Sequence, residues 1–274
     1  MTMRYIERFN HAPYLLGKCN VCGKHVPFFC QDLSLPRESL ICGECGSTSR
    51  YRSIAKGILR AVDELTGVRA KCLADLTKNR SDKMLRVYDT QIPIYTTHVS
   101  YPIPDVLAGC SWIDVQESVY RPAEPWGKPI APRITNQNLE ELTFSDDYFD
   151  IVITSDIMEH VRLDNKAHRE IQRILRTGGV YIFTVPHFRH NRETVKRILI
   201  VDPRDASRDE FVYKPEYHRD PNATDDKSLV YRVYGTDLDE ELEALGFSVD
   251  YSREDSLENT IICTELFYCR LVRK

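Results

Sequence analysis

No apolar run in the 274 residues is long enough to span a bilayer. The first residues, Met1 to Gly17, read MTMRYIERFNHAPYLLG and lack the apolar core of a secretory signal. Both absences lead to the expectation of a cytoplasmic protein with no membrane partner. A reducing compartment disfavours disulfides, so the nine cysteines need another use. Charge of one sign is also missing in bulk, since the net charge is only −4. Residues 1–60 hold nine Lys and Arg against four Asp and Glu, a net +5 that leaves −9 for the remainder. That basic segment is modest beside a dedicated nucleic-acid binder, which speaks against nucleic acid as partner without excluding it.

What is present divides into a small module and a larger body. The length suits one α/β domain plus a module of about 50 residues, and a module of that size usually needs a staple. KCNVCGK (Lys18 to Lys24) and ICGECGS (Ile41 to Ser47) supply one. Each Cys-x-x-Cys turn lets two thiolates converge on one ion, and two such turns close a tetrahedral four-sulfur shell. Cys19, Cys22, Cys42 and Cys45 are therefore the expected ligands of a structural zinc. The other cysteines, Cys30, Cys72, Cys110, Cys263 and Cys269, are read as small buried hydrophobes. Residues 1–52 form the expected zinc ribbon, 53–83 a linking segment with a helix over Ile54 to Leu65, and 84–274 the body. Arg50 and Arg52, in STSRYRS, either aim at an anionic substrate or sit on the surface beside the helix start.

In the body, short apolar runs alternate with helical stretches. MLRVYD (Met84–Asp89), SWIDVQE (Ser111–Glu117), FDIVIT (Phe149–Thr154) and VYIFTV (Val180–Val185) read as strands. FDIVIT is continuous enough to be buried on both faces, as parallel strands are. DNKAHREIQRILR (Asp164–Arg176) reads as a helix closed by Thr177-Gly178-Gly179. Gly235–Leu245 reads as a further helix, with Phe247–Tyr251 and Glu265–Val272 as closing strands. Strand–helix–strand alternation implies a doubly wound, mostly parallel sheet.

LTFSDDYFDIVITSDIMEHV (Leu142 to Val161) and REIQRILRTGGVYIFTVP (Arg169 to Pro186) resemble class I, Rossmann-like, S-adenosylmethionine (SAM)-dependent methyltransferases. PEYHRDP (Pro215 to Pro221), SLVYRVYG (Ser228 to Gly235) and the S-x-S-R-x-R after the cysteines resemble a subgroup that bears an N-terminal four-cysteine ribbon. The resemblance implies a seven-stranded sheet with SAM across the carboxyl ends of its strands. It places Asp89, Thr90 and Gln91 at the methionine half of SAM and Glu117 at the ribose hydroxyls. Asn138 and Leu139 would border the adenine, and Ser155 and Asp156 the methionine moiety or methyl group. Two departures stand out: the first turn, YDTQIP, has no glycine-rich G-x-G, and Asn138 replaces the commoner acid.

Methyl transfer needs nucleophile and methyl held in line, and a hydroxyl acceptor gains from a general base. His160, His187, His190 and His218 compete for that task. His218, in the polar EYHRDP loop, ranks first, with Glu216 and Asp220 available to orient it; His187, after the fifth strand, ranks second. His160, in the Glu-His-Val run, reads as a positioning or packing residue. The expected function is O-methylation of a small polar, sugar-like or other biosynthetic acceptor. An RNA base methyltransferase using the ribbon to dock RNA, and a catalytically silent SAM-fold partner, stay open as alternatives.

Overall fold

A computed structural model describes residues 14–90, 101–219, 227–253 and 255–274. Gln91 and Asp220 lie outside the described residues. Three antiparallel strands open the chain: β1 (Tyr14–Lys18), β2 (His25–Cys30) and, after the short helix α1 (Pro36–Ser39), β3 (Leu40–Cys42). Helix α2 (Ser49–Thr66) follows, capped by the Thr48 hydroxyl and ended by Gly67 at φ 74°. It begins inside the segment assigned above to the cysteine module, so residues 49–52 are its first turn.

The body's strands are β4 (Leu85–Asp89), β5 (Ile113–Val119), β6 (Pro129–Ala131), β7 (Ile134–Asn136), β8 (Phe149–Ser155) and β9 (Leu175–Thr184). Helices α3 (Leu73–Leu76), α4 (Ile103–Ala108) and α5 (Asp164–Ile174) lie between them. Three two-stranded antiparallel ribbons come next, all within residues 195–233. They pair β10 (Val195–Lys196) with β15 (Arg232–Val233), β11 (Ile198–Leu199) with β12 (Glu210–Phe211), and β13 (Tyr217–Arg219) with β14 (Lys227–Leu229). Helix α6 (Asp237–Ala244) and strands β16 (Phe247–Ser252) and β17 (Leu266–Leu271) complete the chain.

The sheet runs β16-β17-β9-β8-β4-β5-β7-β6. Strands β7, β5, β4, β8 and β9 are parallel to their neighbours in that series, while β6 and β17 pair antiparallel. The sheet therefore has eight strands rather than the seven expected. The extra one, PIA at the β6 edge, has no residue facing a core and left no periodic mark. The expected glycine stop for α5 is also corrected. The helix ends at Leu175, whose backbone is extended (ψ 140°), and that residue already pairs in β9. Gly178 (φ 84°) and Gly179 lie inside β9, where the pairing to β8 shifts register. A Cβ on Gly179 would meet the Asp150 carbonyl at 3.0 Å, so the glycine serves the bulge.

Strand geometry sends alternate side chains to opposite faces. Val87, Ile151, Ile153, Val180 and Ile182 face α2, α3 and α4. Tyr88, Val152, Tyr181 and Phe183 face α5 and α6. The first core runs on without a break into Cys19, Val21, Phe28, Leu40 and Cys42, so the cysteine module packs on the body. Close approach is built in at Gly57 of α2, where a Cβ would meet Ile182 at 3.1 Å. Among the described residues, no helix is long and apolar enough to cross a membrane. Cys30, Cys72, Cys110 and Cys269 are buried as expected, whereas Cys263 is exposed.

Candidate functional site

Strand order reverses at β4 and β8, because the chain builds outward from β4 through β5 in one direction and from β8 in the other. In open α/β sheets the crevice beyond the carboxyl ends at such a point is where ligands bind. Asp89, at the end of β4, is register partner to Glu117 of β5. Ser155 ends β8, and Asp156 follows it in the left-handed region (φ 50°). Asp89, Thr90, Glu117, Ser155 and Asp156 thus gather at one edge.

Their partners are specific. The Asp89 carboxylate accepts from the Tyr101 hydroxyl at 2.6 Å. Thr90 donates through both its amide and its hydroxyl to the Ile153 carbonyl, tying β4's end to β8. Glu117 is fully buried and accepts from the Arg133 guanidinium at 3.1 Å through Oε1. Its other oxygen, Oε2, is buried and has no partner among the described residues. Burial pushes the Glu117 carboxyl up, with Arg133 opposing. A buried carboxylate oxygen without a donor is costly unless something supplies one, and a ribose hydroxyl is such a donor. Asn138 and Leu139 follow β7: Asn138 Oδ1 accepts from the Glu140 amide, and Leu139 packs into the core beside Tyr88.

Two arginines from the cysteine module reach this edge. Arg37 of α1 donates both Nη atoms to the Asp156 carboxylate at 2.7 and 2.8 Å. Arg50 of α2 donates to the Ser155 hydroxyl at 2.6 Å and pairs with Glu38. Burial alone would raise the Asp156 carboxyl, but Arg37 and Arg50 hold it far below the usual carboxylate range. Arg52 behaves differently from its neighbour. It is fully buried and donates to the carbonyls of Ser47, Leu40, Asn259 and Thr260, so it rivets the module to the chain's end and faces no substrate.

The four cysteine sulfurs converge within 4.8 Å of one another. Cys19 and Cys45 lie 3.8 Å apart and Cys22 and Cys42 3.9 Å. A tetrahedron with metal–sulfur bonds of about 2.3 Å has edges of about 3.8 Å. Hydrogen bonds from Cys22, Cys42 and Cys45 hold the Cys19 thiol well below its ordinary range, while Cys22 and Cys45 are pushed up. Four sulfurs at this spacing have the geometry of a tetrahedral metal site.

Beyond Asp156, the turn Met158–His160 carries Glu159, which is fully buried. Neither of its carboxylate oxygens has a hydrogen-bond partner among the described residues. Burial, and then the charge of Asp156, push its carboxyl well up. His218, half-exposed on β13, places Nδ1 3.8 Å from Glu159 Oε1, and its Nε2 lies 3.6 Å from Glu216. The rings of His160 and His218 meet edge to face, 4.9 Å between centroids. The Arg232 guanidinium, donating to the carbonyls of Met158, Val161 and Arg162, holds the turn in place. His187 sits elsewhere, buried against Phe267 and Tyr251 with Nε2 2.9 Å from the Gly235 carbonyl. Burial lowers its pKa.

Reading from sequence missed Arg37 and Glu159. Arg37 carried no signal, being one of many surface-type cations. Glu159 stood beside His160 in the quoted run, but nothing in the run said it would be buried without a partner.

The sheet is doubly wound, with Asp89 closing β4, Glu117 beside it on β5 and Asp156 following β8. The family profile of the Methyltransferase domain matches residues 111–183. That stretch runs from β5 into β9 and takes in Glu117, Asn138, Ser155, Asp156, Glu159 and His160. It marks the chain as an enzyme carrying a methyltransferase domain. No curated protein matches. Among solved structures, an SAM-dependent methyltransferase from Mesorhizobium loti is 16% identical, covering 72% of this chain and 95% of its own, with a TM-score of 0.41. One from Methanosarcina mazei is 14% identical over 70% and 95%, also at 0.41. The 1,6-didemethyltoxoflavin-N1-methyltransferase from Burkholderia thailandensis is 16% identical over 70% and 72%, at 0.37.

Proposed function

We propose that the chain is an SAM-dependent methyltransferase acting on a hydroxyl of a small polar acceptor, with a structural zinc in its N-terminal ribbon. The observation that carries this reading is the arrangement at the switch point, where Asp89 and Glu117 lie side by side and Ser155–Asp156 lead into the Glu159–His160–His218 cluster. Bound SAM supplies a methyl group on a sulfonium, which an in-line nucleophile displaces. Glu117 Oε2 accepts from the ribose, Asp89 and Thr90 border the methionine half, Asn138 and Leu139 flank the adenine, and Ser155–Asp156 face the reacting end. The acceptor's hydroxyl is presented to His218, the histidine of this group most open to solvent, and the cluster around it accounts for the hydroxyl proton. His187, packed between two aromatic rings, comes second. A net charge of −9 outside residues 1–60 supports a small acceptor over a nucleic acid. Cys19, Cys22, Cys42 and Cys45 hold the zinc, leaving it no open position and hence no catalytic part.

His218→Asn tests the acceptor side. Turnover is expected to drop by about 10²–10⁴, the range for a lost proton-transfer group, with SAM affinity and melting temperature near wild type. A variant that kept most of its turnover would remove His218 from the mechanism.

A further inference from the structure

We infer that Glu159, His160 and His218 form a second metal site, distinct from the four cysteines, for a divalent first-row transition ion beside Asp156. One ligand atom from each residue lies within 4.8 Å of the other two. The Glu159 Oε1 separations, 3.6 Å to His160 Nε2 and 3.8 Å to His218 Nδ1, are too long for hydrogen bonds. Ligands bound at about 2.1 Å to one ion stand roughly 3.0–3.4 Å apart, so a small closure brings these three into a shared shell.

The surroundings are those of ligands. His160 Nδ1 lies 2.8 Å from the Leu229 carbonyl, which fixes its proton there and turns the Nε2 lone pair toward Glu159. His218 Nε2 stands 3.6 Å from Glu216, so a small shift would seat that carboxylate behind the ring and leave Nδ1 for the cluster. A carbonyl or carboxylate on the outer nitrogen is the usual support of a metal-bound imidazole. Glu159 is fully buried with both oxygens lacking a hydrogen-bond partner, a state that an ion resolves and a packing role does not. Two imidazoles and one carboxylate suit manganese, iron or zinc better than magnesium, and they leave positions open.

Resting on the methyl-transfer reading, the ion's part is to take the acceptor hydroxyl at an open position and lower its pKa. The O–H bond breaks and its proton passes to solvent. The oxygen then bonds to the methyl carbon as the carbon–sulfur bond breaks, its electron pair staying on sulfur. One proton is released per methyl transferred, and His218 helps to remove it by holding the ion.

The test is ion binding, read without turnover. Purified protein is titrated with Mn²⁺, followed by the electron paramagnetic resonance of the free ion, and separately with Zn²⁺ by calorimetry. At least one of the two ions is expected to fill one site per chain beyond the equivalent carried by the four cysteines. His218→Ala and Glu159→Gln should weaken that site roughly 100-fold or more, at least the cost of losing a supporting partner alone. The cysteine-bound equivalent should be unchanged. Because His218 is the exposed member, its variant should keep the wild-type melting temperature and so separate ligation from folding. Failure of both ions to saturate, or unchanged affinity in His218→Ala, would overturn the site. Saturable binding without methyl transfer would keep the site and sink the proposed function. Methyl transfer by a chain that binds no second ion would do the reverse.

Discussion

Stripping the proposed zinc from the four-cysteine cluster is expected to lower the melting temperature by about 9 °C, with Cys42→Ser doing the same. Cys19 and Cys42 are fully buried, and their sulfurs sit in the first core cluster with Val21, Phe28 and Leu40. Structural zinc contributes about 10–16 kcal/mol of apparent binding energy in small peptides, where binding is folding. Here the ribbon also leans on the body, so only part of that appears as lost stability. A loss of about 5 kcal/mol would shift the midpoint of a chain this size by about 9 °C. Elemental analysis of protein purified without added metal should find at least one zinc per chain, and Cys42→Ser should lose one equivalent. A zinc-free chain with the wild-type melting temperature would remove the ion from the account.

Arg52→Ala is expected to be the most damaging single substitution outside the cysteines, at about 3–5 kcal/mol. The guanidinium is fully buried and serves four backbone carbonyls: Ser47 at 2.5 Å, Thr260 at 2.6 Å, Asn259 at 3.0 Å and Leu40 at 3.2 Å. It also lies over the Phe28 ring at 4.5 Å. Burial pulls its pKa down, with the four cysteine sulfurs opposing. Removing it leaves several buried acceptors unsatisfied at about 1–3 kcal/mol each, less whatever water recovers. Arg52→Lys should rescue little, because an ammonium has no fork to span four acceptors. Urea unfolding of the two variants measures this, and a loss below about 1 kcal/mol in Arg52→Ala would show the carbonyls finding other donors.

Arg52 also marks where reading the sequence stops. Arg50 and Arg52 look alike in STSRYRS, yet a turn of α2 sends one to Ser155 and Asp156 and the other into the module's base. The central strands were legible because β8 buries all seven residues and its apolar run has no other use. The β6 edge and the three short ribbons between residues 195 and 233 were not, since two- and three-residue strands with half-exposed faces leave no period. The glycines after α5 were misread because a left-handed glycine serves a strand bulge as well as a helix end. At the site, the strand-end carboxylates could be placed by position alone. The Glu159–His160–His218 cluster could not, because it joins a turn after β8 to a ribbon nearly 60 residues later, a distance that only the fold closes.

The central claim is that SAM lies across the ends of β4, β5 and β8 with its ribose on Glu117. Calorimetric titration of SAM into the wild-type chain and Glu117→Ala tests it most directly. A carboxylate hydrogen bond contributes about 1.5–3 kcal/mol, so Glu117→Ala should bind roughly 10- to 100-fold more weakly at one site per chain. Equal affinities would contradict the placement, and no heat with the wild-type chain would contradict the function.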